Sequence, residues 1–250
     1  RGISPKILNQ SIDNCKFSSK KLRFRLTHNF IKNIIFTKVI SISRRAKYIL
    51  INLNNGKTII MHLGMSGRII VTSNNENKKF KHTHMILYFS NGLIMKFIDP
   101  RRFGSIIHLD SNKIEAFKFF IHLGHEPLNN KFNAEYLMSI CHNKKSPIKS
   151  VIMNQKIVVG VGNIYASEAL FYSCINPAIH ANKLSLRQYE TLVRNIKNVL
   201  KKAIKLGGSS INDYSMINGM LGHFQNELKV YDREGKNCLK KTCKGQILRI

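Results

Sequence analysis

The chain has 250 residues, 43% of them hydrophobic, which is enough for one large domain or for two smaller domains with real cores. Lys and Arg number 41 against 13 Asp and Glu, so the formal net charge is +28, and a nucleic acid is the expected partner. No apolar run is long enough to span a membrane, and the 5 cysteines, an odd number, exclude a simple disulfide framework, so we expect a cytoplasmic protein.

The first half of the chain predicts β-structure. Short apolar and β-branched runs alternate with turn signals such as Asn54-Asn55-Gly56 and Ser90-Asn91-Gly92, which are typical of hairpins. The predicted strands cover residues 23–26, 31–42, 48–53, 58–63, 85–89, 93–98 and 105–109, and residues 72–81 form a polar loop. Strands at this spacing favour a β-sandwich or a barrel.

The second half predicts helices. They cover residues 113–123, 132–141, 144–157, 164–172 and 185–206. The last one carries an apolar stripe, a Ser185/Gln188 capping box and a Gly207-Gly208 stop. The sequence therefore predicts an α+β protein with a β-sandwich over 1–112, a helical domain over 113–222 and a small hairpin over 223–250.

Lys47 is the first candidate for chemistry. It precedes a predicted strand, and alternation places it on the same face as Ile49 and Ile51. A lysine at the end of an apolar face loses solvation, so its pKa falls and its proton becomes available. The same pattern fits a surface lysine whose stem covers apolar residues.

Two turns and one basic loop carry candidates for DNA contact. Met65 stands on a glycine-flanked turn, either as a wedge for a base stack or folded back as a core gap-filler. Arg101 and Phe103 suit phosphate contact and base stacking, although a solvated turn with one buried Phe would look the same. His82 and His84 favour DNA contact or plain surface over a metal, because neither carboxylate nor Cys stands beside them.

A glycine-bearing segment leads into a predicted helix at Asn163. Free amides at a helix N-terminus bind anions, and the Asn163 side chain can donate to a phosphate. Lys144, Lys145 and Lys149 precede this segment and could hold a DNA backbone, or could form a solvated basic face.

Cys238 and Cys243 lie close together in a basic hairpin near the end of the chain. Structural zinc sites take four ligands, often as two Cys pairs. With one pair present, either a second pair lies outside this chain or no zinc is bound.

The order and spacing of the motifs resemble those of the bacterial formamidopyrimidine-DNA glycosylase family over essentially the whole chain. The matching segments are RRAKY at 44–48, HLGMSG at 62–67, KHTH at 81–84, DPRRFG at 99–104, HLGHEPL at 122–128 and VVGVGNIYASEALF at 158–171, followed by the Cys pair. The resemblance implies a β-sandwich, a helical domain with a helix–two-turn–helix and a zinc-finger hairpin. It also implies a monomeric, nucleoid-associated enzyme that excises oxidised purines from damaged double-stranded DNA and nicks the abasic site.

The resemblance also implies roles for individual residues. Lys47 corresponds to a catalytic proton donor that grips a phosphate near the lesion. The residues that fill the hole left by the flipped base are Met65, Arg101 and Phe103. The DNA-binding positions are His82, Arg101, Lys145, Lys149 and Asn163. Cys238 and Cys243 correspond to ligands of one structural zinc ion, and a lesion-capping loop is expected near 207–222.

Several positions depart from the family pattern. Family members begin with Pro-Glu, whose proline amine is the nucleophile, whereas this chain begins Arg1-Gly2-Ile3. The second Cys pair and a phosphate-clamping Arg are also missing, and we expect truncation at both ends. The retained Cys pair is spaced more widely than usual, and Thr83 replaces a common Asp. The alternatives are a catalytically dead lesion-binding protein and, less well supported, a helix-turn-helix DNA binder.

Overall fold

The computed structural model describes residues 2–74, 80–208, 223–240 and 242–249. It divides into two compact units, and the chain passes from the first to the second between Ile121 and His122. The predicted domain limits at 112 and 222 stay predictions. Most of the expected lesion-capping loop, and residues 75–79 of the predicted polar loop, lie outside the described residues.

The first unit is built around two four-stranded antiparallel sheets. Its elements are α1 (Ser4–Ile7), β1 (Ile12–Phe17), α2 (His28–Ile34), β2 (Val39–Arg45), β3 (Tyr48–Leu53), β4 (Lys57–His62), β5 (Arg68–Ser73), β6 (Thr83–Phe89), β7 (Leu93–Ile98) and β8 (Ser105–Asp110). One sheet has the order β1-β6-β7-β5, and the other has the order β2-β3-β4-β8.

The core of the first unit lies between the two sheets. Alternate residues of the strands point inward, so Ile51 and Met61 of one sheet share a cluster with Leu87 and Phe97 of the other. α1 and α2 extend the same cluster with further buried apolar residues. The predicted β-sandwich is confirmed.

Three predicted elements of the first unit are wrong, and the first is the strand over 23–26, where the backbone is irregular. Residues 31–42 were predicted as one strand, but α2 occupies the first part of that run and β2 begins only at Val39. Phe30 and Ile34 are buried at helical spacing, a signal that the β-branched composition hid. Residues 113–123 do not form the predicted helix: a 3₁₀ turn over Ser111–Lys113 is followed by turns, and their phenylalanines pack on one another.

The second unit is helical, with α3 (Ala134–Cys141), α4 (Ile148–Met153), α5 (Asn163–Tyr172) and α6 (Leu186–Lys205). The predicted capping box is present, because Ser185 and Gln188 each accept the other's backbone N–H. The long helix α6 packs against α3 and α5. Near the C-terminus a bridge between Asn237 and Gln246 closes a small hairpin. None of the helices within the described ranges is long and apolar enough to cross a membrane.

Candidate nucleic-acid interface

Lys47 lies in the tight turn that joins β2 to β3. The preceding Ala46 adopts a left-handed conformation with a φ of 52°, and the Arg44 guanidinium donates to the Ala46 carbonyl oxygen at 2.8 Å. Lys47 is exposed, yet the surrounding protein partly desolvates its ammonium group and lowers its pKa. The lowered pKa expected from the sequence is therefore present, and it raises the fraction of Lys47 that can exchange a proton near neutral pH.

His62 lies beside Lys47, because β3 and β4 pair Tyr48 directly with His62. The Tyr48 and His62 rings are 4.8 Å apart between centroids, and the Gly64 N–H donates to His62 Nδ1 at 3.0 Å. Burial, followed by the positive charges of Arg23 and Lys47, lowers the pKa of His62. The pairing thus forms a cationic cluster of Arg23 and Lys47 around a neutral imidazole.

The sequence analysis did not single out Arg23 or His62. His62 opens the HLGMSG motif, and counting residues from the Asn54-Asn55-Gly56 turn would have paired it with the start of the strand after Lys47. Arg23 gave no such signal, because it lies in irregular backbone rather than in the predicted strand over 23–26.

Asp99 joins two loops that carry the predicted wedge residues. Its side chain is fully buried, and the Ser66 hydroxyl donates to Asp99 Oδ1 at 2.6 Å. The Gly104 N–H donates to Asp99 Oδ2 at 2.7 Å, and the Arg101 N–H donates to Ser66 Oγ at 3.2 Å. One carboxylate therefore fixes both the loop after β4 and the loop after β7.

The glycines of these two loops allow their backbones to touch. Gly64 has a φ of 65°, and a Cβ atom at this position would stand 2.7 Å from the Gly104 nitrogen. A Cβ atom at Gly104 would stand 2.9 Å from Asp99 Oδ2. Any larger residue at either position would push the loops apart, so the glycines serve close packing here rather than flexibility.

The fixed loops present apolar side chains to solvent. Met65 is 57% exposed and Phe103 is 51% exposed, so Met65 is not a core gap-filler and Phe103 is not buried in its turn. The Arg101 guanidinium lies 5.0 Å from the centroid of the Phe103 ring. Exposed apolar groups beside a cation suit base stacking next to a phosphate.

His82 and His84 have different surroundings. His82 is exposed, with a φ of 62°, and its carbonyl oxygen accepts the Asp99 N–H at 3.0 Å. His84 is buried, with its ring nitrogens 3.1 Å from Ser18 Oγ and 2.9 Å from the Asp99 carbonyl oxygen. His82 is therefore available to a ligand, whereas His84 supports the loop.

In the second unit, Lys149 and Asn163 line one cavity of about 860 Å³. Asn163 is exposed as the first residue of α5, directly after Gly162, and Lys149 is half-buried in α4. Lys145 is exposed in the turn before α4 and does not line this cavity. The structure thus brings together a cation and a helix N-terminus, which is an arrangement that binds phosphate.

Glu168 attaches the C-terminal segment to α5. Its side chain is 1% exposed, and its two carboxylate oxygens accept the backbone N–H groups of Lys229, Val230 and Tyr231 at 2.9 to 3.0 Å. Val230 and Tyr231 also line the cavity that contains Asn163. Three backbone donors on one buried carboxylate make a strong anchor, which the sequence analysis did not identify.

Cys238 and Cys243 lie in the C-terminal hairpin, where Cys238 is half-buried and Cys243 is exposed. The Gly245 backbone N–H, followed by Cys238 and the charge of Lys240, lowers the pKa of the Cys243 thiol. Two adjacent sulfurs, one with enhanced thiolate character, fit half of a tetrahedral zinc site. No cluster of three or more His, Cys, Asp or Glu able to hold a metal occurs within the described part of the chain.

Comparison with known protein families gives two matches on this chain. Residues 1–106 match the formamidopyrimidine-DNA glycosylase N-terminal domain. Residues 123–215 match the formamidopyrimidine-DNA glycosylase H2TH domain. The two matches follow the order of the sandwich and the helical unit.

Relatives and solved structures match nearly the whole chain. The formamidopyrimidine-DNA glycosylase of Ruegeria sp. (strain TM1040) is 37% identical, covering 100% of this chain and 91% of the relative. The formamidopyrimidine-DNA glycosylase of Ruthia magnifica is 42% identical, and the match covers 100% of this chain and 90% of the relative. The structure of Lactococcus lactis Fpg with DNA containing an abasic site superposes with a TM-score of 0.89 and 29% identity, covering 99% and 90%. The L. lactis complex with Fapy-dG DNA superposes with a TM-score of 0.88 and 28% sequence identity, again covering 99% of this chain and 90% of the other.

Proposed function

The chain belongs to the formamidopyrimidine-DNA glycosylase family, and we propose that it excises oxidised purines such as 8-oxoguanine and formamidopyrimidines from duplex DNA. The observation that carries the proposal is the pair of loops held by Asp99, which presents Met65, Arg101 and Phe103 to solvent. Flipping a base out of the stack costs a few kcal/mol, which wedge residues and phosphate contacts offset.

The cationic groups of each unit provide phosphate contacts in this proposal. Lys47 and Arg23 surround His62 in the first unit, and Lys149 and Asn163 share a cavity in the second. We assign His82 and Lys145, both exposed, to further contacts with the DNA backbone. The net charge of +28 supports a polyanionic partner, and we further propose a cytoplasmic monomer acting on the chromosome.

We also propose that the enzyme is bifunctional. The family resemblance implies that an N-terminal proline amine attacks the sugar C1′, releases the base and forms a Schiff base. β- and δ-elimination then nick the strand, with Lys47 as the proton donor whose lowered pKa suits that role. Lys47 is the catalytic residue that we assign within residues 1–250.

Zinc is the cofactor of the proposal, with Cys238 and Cys243 as two of its ligands. The ion would have a structural role and would hold the C-terminal hairpin in a fixed conformation. We expect the full-length protein to retain zinc on dialysis and the Cys238→Ser variant to lose it.

Borohydride trapping tests the function. Full-length protein incubated with a duplex containing 8-oxoguanine should become covalently attached to the DNA in the presence of borohydride, and it should nick the strand without it. Absence of both the adduct and the nick would favour the alternative, a catalytically dead lesion-binding protein. Identity of 37% and 42% to relatives named as glycosylases, over the whole chain, favours the enzyme.

A further inference from the structure

A basic stripe runs along the solvent side of α6, outside the groups assigned above. It consists of Arg187, Arg194, Lys201 and Lys205, all exposed. Their spacings of seven, seven and four residues keep them within a narrow sector of the helix. At about 1.5 Å of rise per residue the stripe is about 27 Å long.

The stripe differs from a scattered set of surface lysines. α6 contains two more cations, and both are engaged with the protein: Lys202 pairs with Glu227 at 2.6 Å, and Lys197 donates to the Asn129 carbonyl oxygen at 3.3 Å. Glu190 is the single carboxylate in the helix. Arg194 donates to Thr191 Oγ1 of the same helix at 3.5 Å, whereas Lys202 and Lys197 contact segments outside α6, so the aligned cations are those that face solvent.

The stripe lies on the face of α6 opposite the residues that the helix buries. The opposite face of α6 packs inward with buried residues that include Leu192, Ile196 and Val199. Asn163, which we assign to phosphate binding, begins α5, and α5 packs against α6, whose buried face lies opposite the stripe. When a duplex is bound at Asn163, the stripe stays available to a second polyanionic molecule or segment.

Duplex DNA fits the stripe better than a membrane or a protein surface. The apolar face of α6 is already buried in the unit, so it cannot enter a lipid layer. The aligned positions carry no apolar side chain of the kind that anchors a protein interface. Duplex DNA presents a charge for about every 1.7 Å of its axis, so the stripe runs beside about eight base pairs of it.

We propose that the α6 stripe binds a second segment of duplex DNA and lets the protein transfer directly between segments while it searches for damage. The proposal rests on the proposed DNA-repair function. Direct transfer requires both segments to be held at once, and a stripe opposite the buried face of α6 allows that. Four cation–phosphate contacts would make the second surface weak and steeply salt-dependent.

Competitor-dependent release tests the proposal. Full-length protein is bound to a fluorescent duplex that contains a tetrahydrofuran analogue of an abasic site, and its release is timed at increasing concentrations of undamaged duplex. With direct transfer, the release rate rises with competitor concentration. The slope of the release rate against competitor concentration should fall at least about tenfold in the variant R187Q/R194Q/K201Q/K205Q, because four phosphate contacts are lost.

A matched variant separates the stripe from net charge. K16Q/K32Q/K38Q/K131Q removes the same charge from exposed lysines elsewhere, and its slope should stay near that of the wild type. An equal fall in both variants would overturn the proposal, as would a wild-type release rate that ignores competitor. The proposal would also be overturned if single-stranded RNA or polyglutamate accelerated release of the fluorescent duplex more than undamaged duplex DNA does.

The same data distinguish this proposal from the proposed function. Preference for the abasic analogue with a release rate that ignores competitor would refute the stripe alone. Equal binding of damaged and undamaged duplex, with intact acceleration by competitor, would support the stripe and count against damage recognition. Circular dichroism checks that the variant keeps α6, and glutamine at exposed helix positions should preserve it.

Discussion

Lys47 combines a positive charge with a lowered pKa, and substitutions can separate the two properties. Lys47→Arg keeps the charge, but an arginine does not release its proton at any working pH. Lys47→Ala loses both the charge and the proton. We expect single-turnover nicking of abasic duplex to fall about 100-fold or more in both variants. The affinity for that duplex should fall clearly only in Lys47→Ala. Wild-type nicking by Lys47→Arg would remove Lys47 from the proton-transfer step.

His62 gives stability a pH dependence of known sign. Burial and neighbouring cations lower its pKa below the ordinary value of 6.5, so below that pH the unfolded chain binds more protons than the folded one. Acid therefore destabilises the fold through His62, over the interval between the lowered pKa and 6.5. The melting temperature should drop less between pH 7.5 and pH 5 in His62→Gln than in the wild type. The exposed His122→Gln is the control, and an equal drop in both variants would contradict this assignment.

Among the structural elements, the two loops after β4 and β7 depend on Asp99. Asp99→Asn replaces one acceptor oxygen with a donor, so either Ser66 or Gly104 loses its partner in a buried site. We expect unfolding in urea to show a loss of about 2–3 kcal/mol, and lesion affinity to fall because Met65 and Phe103 lose their fixed positions. Asp13→Asn, at an exposed position of β1, should leave both quantities nearly unchanged.

The C-terminal segment is the element that Glu168 secures. Glu168→Gln presents an amide N–H₂ to backbone donors, so part of the anchor at Lys229–Tyr231 is lost. Limited proteolysis should cut the variant within residues 229–249 faster than the wild type, with α3 to α6 still protected. The exposed Glu135→Gln should be cut at the wild-type rate. Unchanged protection in Glu168→Gln would show that the segment is held by other contacts.

The elements also show what sequence can and cannot predict. α6 was predicted closely because its apolar spacing, its capping box and its closing glycines agree. α2 was mistaken for a strand because isoleucine and phenylalanine favour strands, whereas tertiary packing selected the helix. Asp99 and Glu168 were missed because their roles depend on contacts between distant segments, and their neighbours in sequence give no sign of them.

At the scale of the whole molecule, charge and motif order were sufficient to predict the class of partner and the family. The net charge of +28 indicates a polyanion, and the ordered motifs indicate which one. The sequence analysis did not pair His62 with Tyr48 beside Lys47, although the Asn54-Asn55-Gly56 turn sets the register of that hairpin. Nor could it show that Lys197 and Lys202 of α6 contact other segments of the chain.

Release of the damaged base is the decisive measurement of the proposed glycosylase activity. Full-length protein is mixed in excess with duplexes that differ only in carrying guanine or 8-oxoguanine at one position, and the free base is quantified over time. We expect release of 8-oxoguanine in a single-turnover reaction and no detectable release of guanine. Failure to release 8-oxoguanine, or equal release of both bases, would contradict the proposed activity.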